Sequence, residues 1–182
     1  MILDAFQMFD LPSAPRDLAQ IVGTYASTNI LDYGLVASIP SEASGGGARD
    51  MGVGDDPALK LFVYVATAFT SAGAATVQVT FQGSIDDGAG GIAAWSSWIA
   101  SPAYALATVA VAGNRLFDID FPRPPAGIAI PRFCRLLYSI AGATTTAGKI
   151  AAGVVLDRPD QHYAGTNTGV LGGYRAGITI AN

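Results

Sequence analysis

From Leu59 the chain alternates, with Leu59, Leu61, Val63 and Val65 on one face of an extended segment. From Thr76 the polar set Thr76, Gln78, Thr80 and Gln82 interleaves with Val77, Val79 and Phe81, the period of two that marks a half-buried strand. A Ser71-Ala-Gly73 turn separates the two runs. Reading onward for apolar runs and breakers predicts strands at 18–22, 28–33, 59–67, 75–83, 92–99, 105–111, 115–121, 132–141 and 148–156. Turn residues punctuate them at Asp86-Asp87-Gly88, Ser101-Pro102, Gly113-Asn114 and Gly142 to Thr146. Seven to nine short strands so punctuated predict an all-β fold, a jelly-roll-like β-sandwich.

Composition sharpens this. One Glu and two Lys stand among 182 residues, so the polar residues that favour surface helices are nearly absent. The length suits one domain, placed at 18–157, with an N-terminal arm at 1–17 and a glycine-rich C-terminal arm at 158–182. That last segment carries Tyr163, Val170, Leu171, Tyr174, Ile178 and Ile180 between glycines, too apolar for a solvated tail and too glycine-rich for an independent unit. A second glycine-rich stretch, at 41–54, reads as a loop. Thr70-Ser-Ala-Gly73 and Thr145-Thr-Ala-Gly148 echo one another as two candidate equivalent turns.

The net charge is −4 with an isoelectric point near 4.7, which repels a polyanion and argues against nucleic acid. Arginine outnumbers lysine eight to two, a bias that favours desolvated protein contacts. Cys134 is the single cysteine, so no intrachain disulfide forms, and it reads as a small buried hydrophobe. The first ten residues lack a basic region and carry Asp4, which argues against a secretory signal and for synthesis in the cytoplasm. The uncharged stretch 89–114 is interrupted by Ser96, Ser97, Ser101 and Pro102, and it is too alanine-rich for a membrane span.

The search for chemistry yields little. His162, the only histidine, sits in the C-terminal arm with neither a nucleophile elbow nor metal-ligand partners, so the expectation is no enzyme, no cofactor and no metal. Asp118 and Asp120 share a strand face but alternate with Phe117, Ile119 and Phe121, the pattern of a solvent side, with Arg115 and Arg123 close by in sequence. The Asp55-Asp56 and Asp86-Asp87-Gly88 steps are turn chemistry, lacking the spaced carboxylates of a calcium loop. Gly45-Gly46-Gly47 lacks phosphate-loop spacing. Trp95, Trp98 and Tyr104 are candidates for a sugar-stacking platform, but three residues apart on a strand the two indoles face opposite ways. The candidate partner-interface residues are Arg49 after the triple-glycine loop, Arg123 in the Phe-Pro-Arg-Pro-Pro corner, Arg158 at the exit to the arm, and Tyr163 and Tyr174 within it.

Several segments together resemble the capsid cement (decoration) proteins of short-tailed bacteriophages. They are Met1-Ile-Leu-Asp4, Ser27-Thr-Asn-Ile-Leu-Asp-Tyr-Gly34, Ala48-Arg-Asp-Met-Gly-Val-Gly54 and Val65-Ala-Thr-Ala-Phe-Thr-Ser-Ala-Gly-Ala-Ala-Thr76. Val111-Ala-Gly-Asn-Arg-Leu-Phe117, Arg135-Leu-Leu-Tyr138 and Val154-Val-Leu-Asp157 extend the likeness across residues 1–157. The resemblance implies a jelly-roll-like domain that sits on the exterior of a virion capsid. It would bridge major capsid subunits without membrane or nucleic acid, as a homo-oligomer, a dimer rather than a trimer. The alternative is a carbohydrate- or receptor-binding jelly-roll module on the same surface.

Overall fold

The computed structural model describes residues 8–33, 59–89, 91–129 and 131–156. Among these, eleven strands are formed: β1 (Met8–Asp10), β2 (Arg16–Asp17), β3 (Gly23–Ala26), β4 (Leu31–Asp32), β5 (Leu59–Ser71), β6 (Thr76–Ser84), β7 (Ser96–Ala100), β8 (Tyr104–Ala105), β9 (Arg115–Asp120), β10 (Phe133–Ala141) and β11 (Thr145–Leu156). One short helix among the described residues, α1, covers Leu106–Val109. One sheet runs β1-β11-β5-β9, with β2 also on β11, and the other runs β3-β10-β6-β7, with β4 on β10 and β8 on β6. These strand pairs are antiparallel, and the two sheets pack as a sandwich that fits the jelly-roll expectation.

The alternating residues meet between the sheets. Leu61, Val63 and Val65 from β5 pack in one cluster with Val77, Val79 and Phe81 from β6, Cys134, Leu136, Tyr138 and Ile140 from β10, and Ile150, Ala152 and Val154 from β11. Phe81 is the aromatic hub, edge-on to Phe9 at 6.1 Å and to Phe121 at 5.3 Å. A smaller cluster of Met8, Phe62 and Val155 lies on the opposite side of the first sheet, because these residues alternate with the inward ones. Phe62 stacks there on Tyr64 at 6.1 Å.

The N-terminal arm expected at 1–17 is built into the first sheet from Met8 onward. Phe9 is fully buried, and burying such a ring contributes roughly 1.5–3 kcal/mol towards holding the three-residue strand on β11. The strand expected at 18–22 does not form. Side chains take its backbone groups instead: Asp17 Oδ1 accepts from Ala19 N at 2.9 Å, and Thr145 Oγ1 accepts from Gln20 N at 3.1 Å. Leu18 enters the core while Ile21 and Val22 stand exposed.

The strand expected at 28–33 shrinks to Leu31–Asp32, because residues 27–29 cross between the sheets. Ser27 N donates to Leu136 O at 2.8 Å in one sheet, and Asn29 N donates to Phe9 O at 2.9 Å in the other. In place of the strand expected at 105–111, Leu106 and Val109 share one side of the α1 turn, three residues apart, with Ala110 N closing onto Leu106 O at 2.8 Å. The strand expected at 92–99 begins only at Ser96, since Ala93 N is bonded back to Ile85 O within the preceding loop.

The two echoing tetrapeptides are not equivalent turns. The turns that carry the chain from one sheet to the other lie at 71–75 and 141–145, whereas Thr145 to Gly148 belong to β11, in a stretch where its register against β5 slips repeatedly.

Candidate functional site

Of the five residues expected at a partner interface, the structure describes Arg123, which is exposed in the corner between β9 and β10. Arg49, Arg158, Tyr163 and Tyr174 lie outside the described residues, as do His162, the arm at 158–182 and the loop at 41–54.

The acidic candidates are engaged with the protein itself. Asp118 pairs with Arg115 at 3.0 Å and Asp120 with Lys60, so β9, an edge strand of its sheet, carries both signs of charge. Asp87 Oδ1 accepts from Ala89 N and Gly91 N, both at 2.8 Å, and these backbone bonds hold its pKa below the ordinary value. Asp86 accepts from Gly88 N at 2.7 Å and also pairs with Arg132. Arg132 in turn grips Asp32 with Nε at 2.9 Å and its second terminal nitrogen at 3.0 Å, a forked pair that holds β4 beside the 85–95 loop. Asp32, and after it Asp86, raise the Arg132 pKa. Among the described residues no three His, Cys, Asp or Glu side chains are grouped to hold a metal ion.

The two tryptophans face opposite ways, as their spacing predicts. Trp98 turns inward, 5.4 Å from Phe81, and lies against the backbone of β6: a Cβ built on Gly83 would stand 2.3 Å from the indole. Only glycine at this strand position leaves room for it. Tyr104 donates its hydroxyl to Leu116 O, which ties it to the protein as well. No common sugar platform results from these three rings.

Trp95 lies on the outer side of the second sheet, where the guanidinium of Arg135 covers its ring at 4.1 Å. Arg135 alternates with the inward Cys134 and Leu136, so β10 directs it away from the core. Its Nε donates to Gln82 Oε1 at 2.9 Å, and the Gln82 amide donates to Ser97 Oγ at 3.0 Å. One row across β10, β6 and β7 thus orders a tryptophan and an arginine side by side. Burial lowers the Arg135 pKa, and the guanidinium makes no ion pair among the described residues. Sequence reading singled out the loop arginines and passed over this one. The available signal was a charge inside the Cys134-Arg-Leu-Leu-Tyr138 alternation, two residues from either outward neighbour.

Cys134 is fully buried, and desolvation raises its thiol pKa far above the ordinary 9.0. Burial likewise raises Tyr33 and Tyr138 above 10.0, with Cys134 adding to the first and Asp10 to the second. A group whose folded pKa is raised stabilises the fold fully below its unfolded pKa and loses that contribution as pH climbs towards the folded value. The fold should therefore keep its full share from these groups up to about pH 9 and weaken steadily above it. Urea midpoints measured between pH 7 and 11 check this; a flat profile above pH 9 would contradict it.

Among the described residues no helix is long and apolar enough to cross a membrane. No curated protein matches the chain. Residues 17–154, spanning nearly all of the sandwich, match the family described as Bbp16. The chain belongs to the Bbp16 family, which marks it as phage-related.

Proposed function

We propose that this chain is a structural virion protein that binds the outside of a phage capsid and stabilises the shell by bridging its major subunits. The observation that carries the reading is the outer face of the β3-β10-β6-β7 sheet, where Arg135 stands beside Trp95 without a carboxylate partner among the described residues, while Arg132, Asp32 and Asp86 are paired with one another at its β4 end. A face that presents an arginine stacked on a tryptophan suits burial under another protein, since those two residue types dominate interface energies. Membership of a phage-related family supports it. Stabilisation then follows from linkage: a ligand that binds only the assembled lattice shifts the equilibrium towards assembly, and repeated weak contacts add through avidity.

Shells purified without this chain should take it up saturably, at fixed copy number, and then resist heating to a higher temperature. Co-sedimentation followed by thermal disruption measures both. Failure of the full chain to bind such shells would refute the reading.

A further inference from the structure

Arg132 and Arg135 stand three residues apart, and both cover aromatic rings, at 4.7 Å from Phe133 and 4.1 Å from Trp95. They differ in what neutralises them. Arg132 is held by Asp32 and Asp86, whereas Arg135 meets only the neutral carbonyl of Gln82. That bond takes up Nε, and the indole takes up one face of the guanidinium plane. The two terminal nitrogens find no acceptor among the described residues, so the fork that matches a carboxylate is already oriented.

We propose that Arg135 receives an aspartate or glutamate side chain from a protein surface laid over this sheet. The shape of the site favours a protein source. Thr80, Gln78, Leu137 and Ser139 flank one side of the row, and Phe133 with the paired Arg132 and Asp32 flanks the other, all on a sheet face and not in the concave pocket that encloses a small ligand. One cation with no carboxylate partner among the described residues complements one carboxylate brought from outside, and the net charge of −4 disfavours a polyanion. Covering the pair excludes water, which makes the forked bond stronger than at an open surface. The identification of that surface as a capsid rests on the function proposed above; the carboxylate chemistry does not.

The test compares the full chain with Arg135→Met, Arg135→Lys and Trp95→Leu in co-sedimentation with shells lacking the chain. Arg135→Met should bind at least about tenfold more weakly with an unchanged melting temperature, and Arg135→Lys should restore little, because an ammonium cannot fork. Trp95→Leu should weaken binding less, by removing the stacking that orients the guanidinium. Undiminished binding by Arg135→Met, or full rescue by lysine, overturns the proposal. If the wild-type chain does not bind shells at all, the capsid reading falls and a second measurement decides the site. The Arg135 Nε–H resonance is then titrated with a short polyglutamate peptide and with sialyllactose. A saturable shift with the peptide alone upholds a protein carboxylate; no shift, or a shift with the sugar alone, overturns it.

Discussion

Replacing Gly148 by alanine should lower the stability of the chain by about 2–6 kcal/mol, a drop in melting temperature on the order of 5–20 °C. Two independent costs coincide at this residue. Its φ of +142° lies where side chains are strained, and a Cβ added there would stand 2.3 Å from the Phe69 ring, which is itself buried in the core. The neighbours cannot easily give way. Gly148 O accepts from Leu18 N at 2.9 Å, which anchors the irregular start of β11 to the entry of the chain into the core. Gly127→Ala is the control, since its φ of +83° carries strain but its Cβ would meet nothing within 4 Å. Adding Phe69→Leu to Gly148→Ala should recover part of the loss if crowding against the ring outweighs backbone strain. Equal melting temperatures for the two glycine variants would show that the ring contact is not limiting.

The second large effect is expected at Asp10, a fully buried carboxylate. Its oxygens accept from the Tyr138 hydroxyl at 2.5 Å and from Thr28 N at 2.8 Å. Asp10→Ala strands the buried Tyr138 hydroxyl away from water, at about 1–3 kcal/mol, and also removes the bond to Thr28 N. Tyr138→Phe removes one charge-assisted bond and should cost about 1.5–3 kcal/mol. Asp10→Asn keeps an oxygen for one donor and should fall between alanine and wild type. Urea titration of the two single variants and the double variant gives the coupling, expected at about 0.5–3 kcal/mol because the groups touch. Additive losses would mean that the bond does not join the two residues energetically.

The long strands were legible because each offers enough residues for a period to show. Val77, Val79 and Phe81 point inward as their alternation requires, and β9 and β10 begin and end within a residue of expectation. Short elements carry no such record. Met8–Asp10 is too brief to display a period, and its place on β11 depends on a partner far away in sequence. Segments 18–22 and 27–29 look extended by composition, yet their hydrogen bonds go to Asp17, Thr145 and Phe9, choices that only the assembled sheets impose. The apolar run at 105–111 fits a strand or a helical turn equally until the core selects Leu106 and Val109 together.

The candidate site was legible only in part. An Arg-rich composition pointed to interfaces, and opposite faces for Trp95 and Trp98 followed from their spacing. The stacking of Arg135 on Trp95 joins residues 40 apart along the chain, and it depends on the register that sets Gln82 opposite Arg135 and Ser97. No local pattern encodes that register. It emerges when β6, β7 and β10 align.

The clasp between Asp10 and Tyr138 also fixes when the molecule can finish folding. Its two ends are separated by 128 positions, and β1 closes against β11, near the end of the sandwich. During synthesis the first strand emerges long before either partner exists. Until then Phe9 has the crossover at 28–29 and the Phe81 ring to meet, and Asp10 only the bond from Thr28 N. Closure of the sandwich is thus a late, non-local event, and non-local pairing is slow because the loop must be ordered before its contacts form. The ladder of β6 with β7, whose strands lie close in sequence, can form ahead of it, and the N-terminal strand acts as the latch that completes the fold.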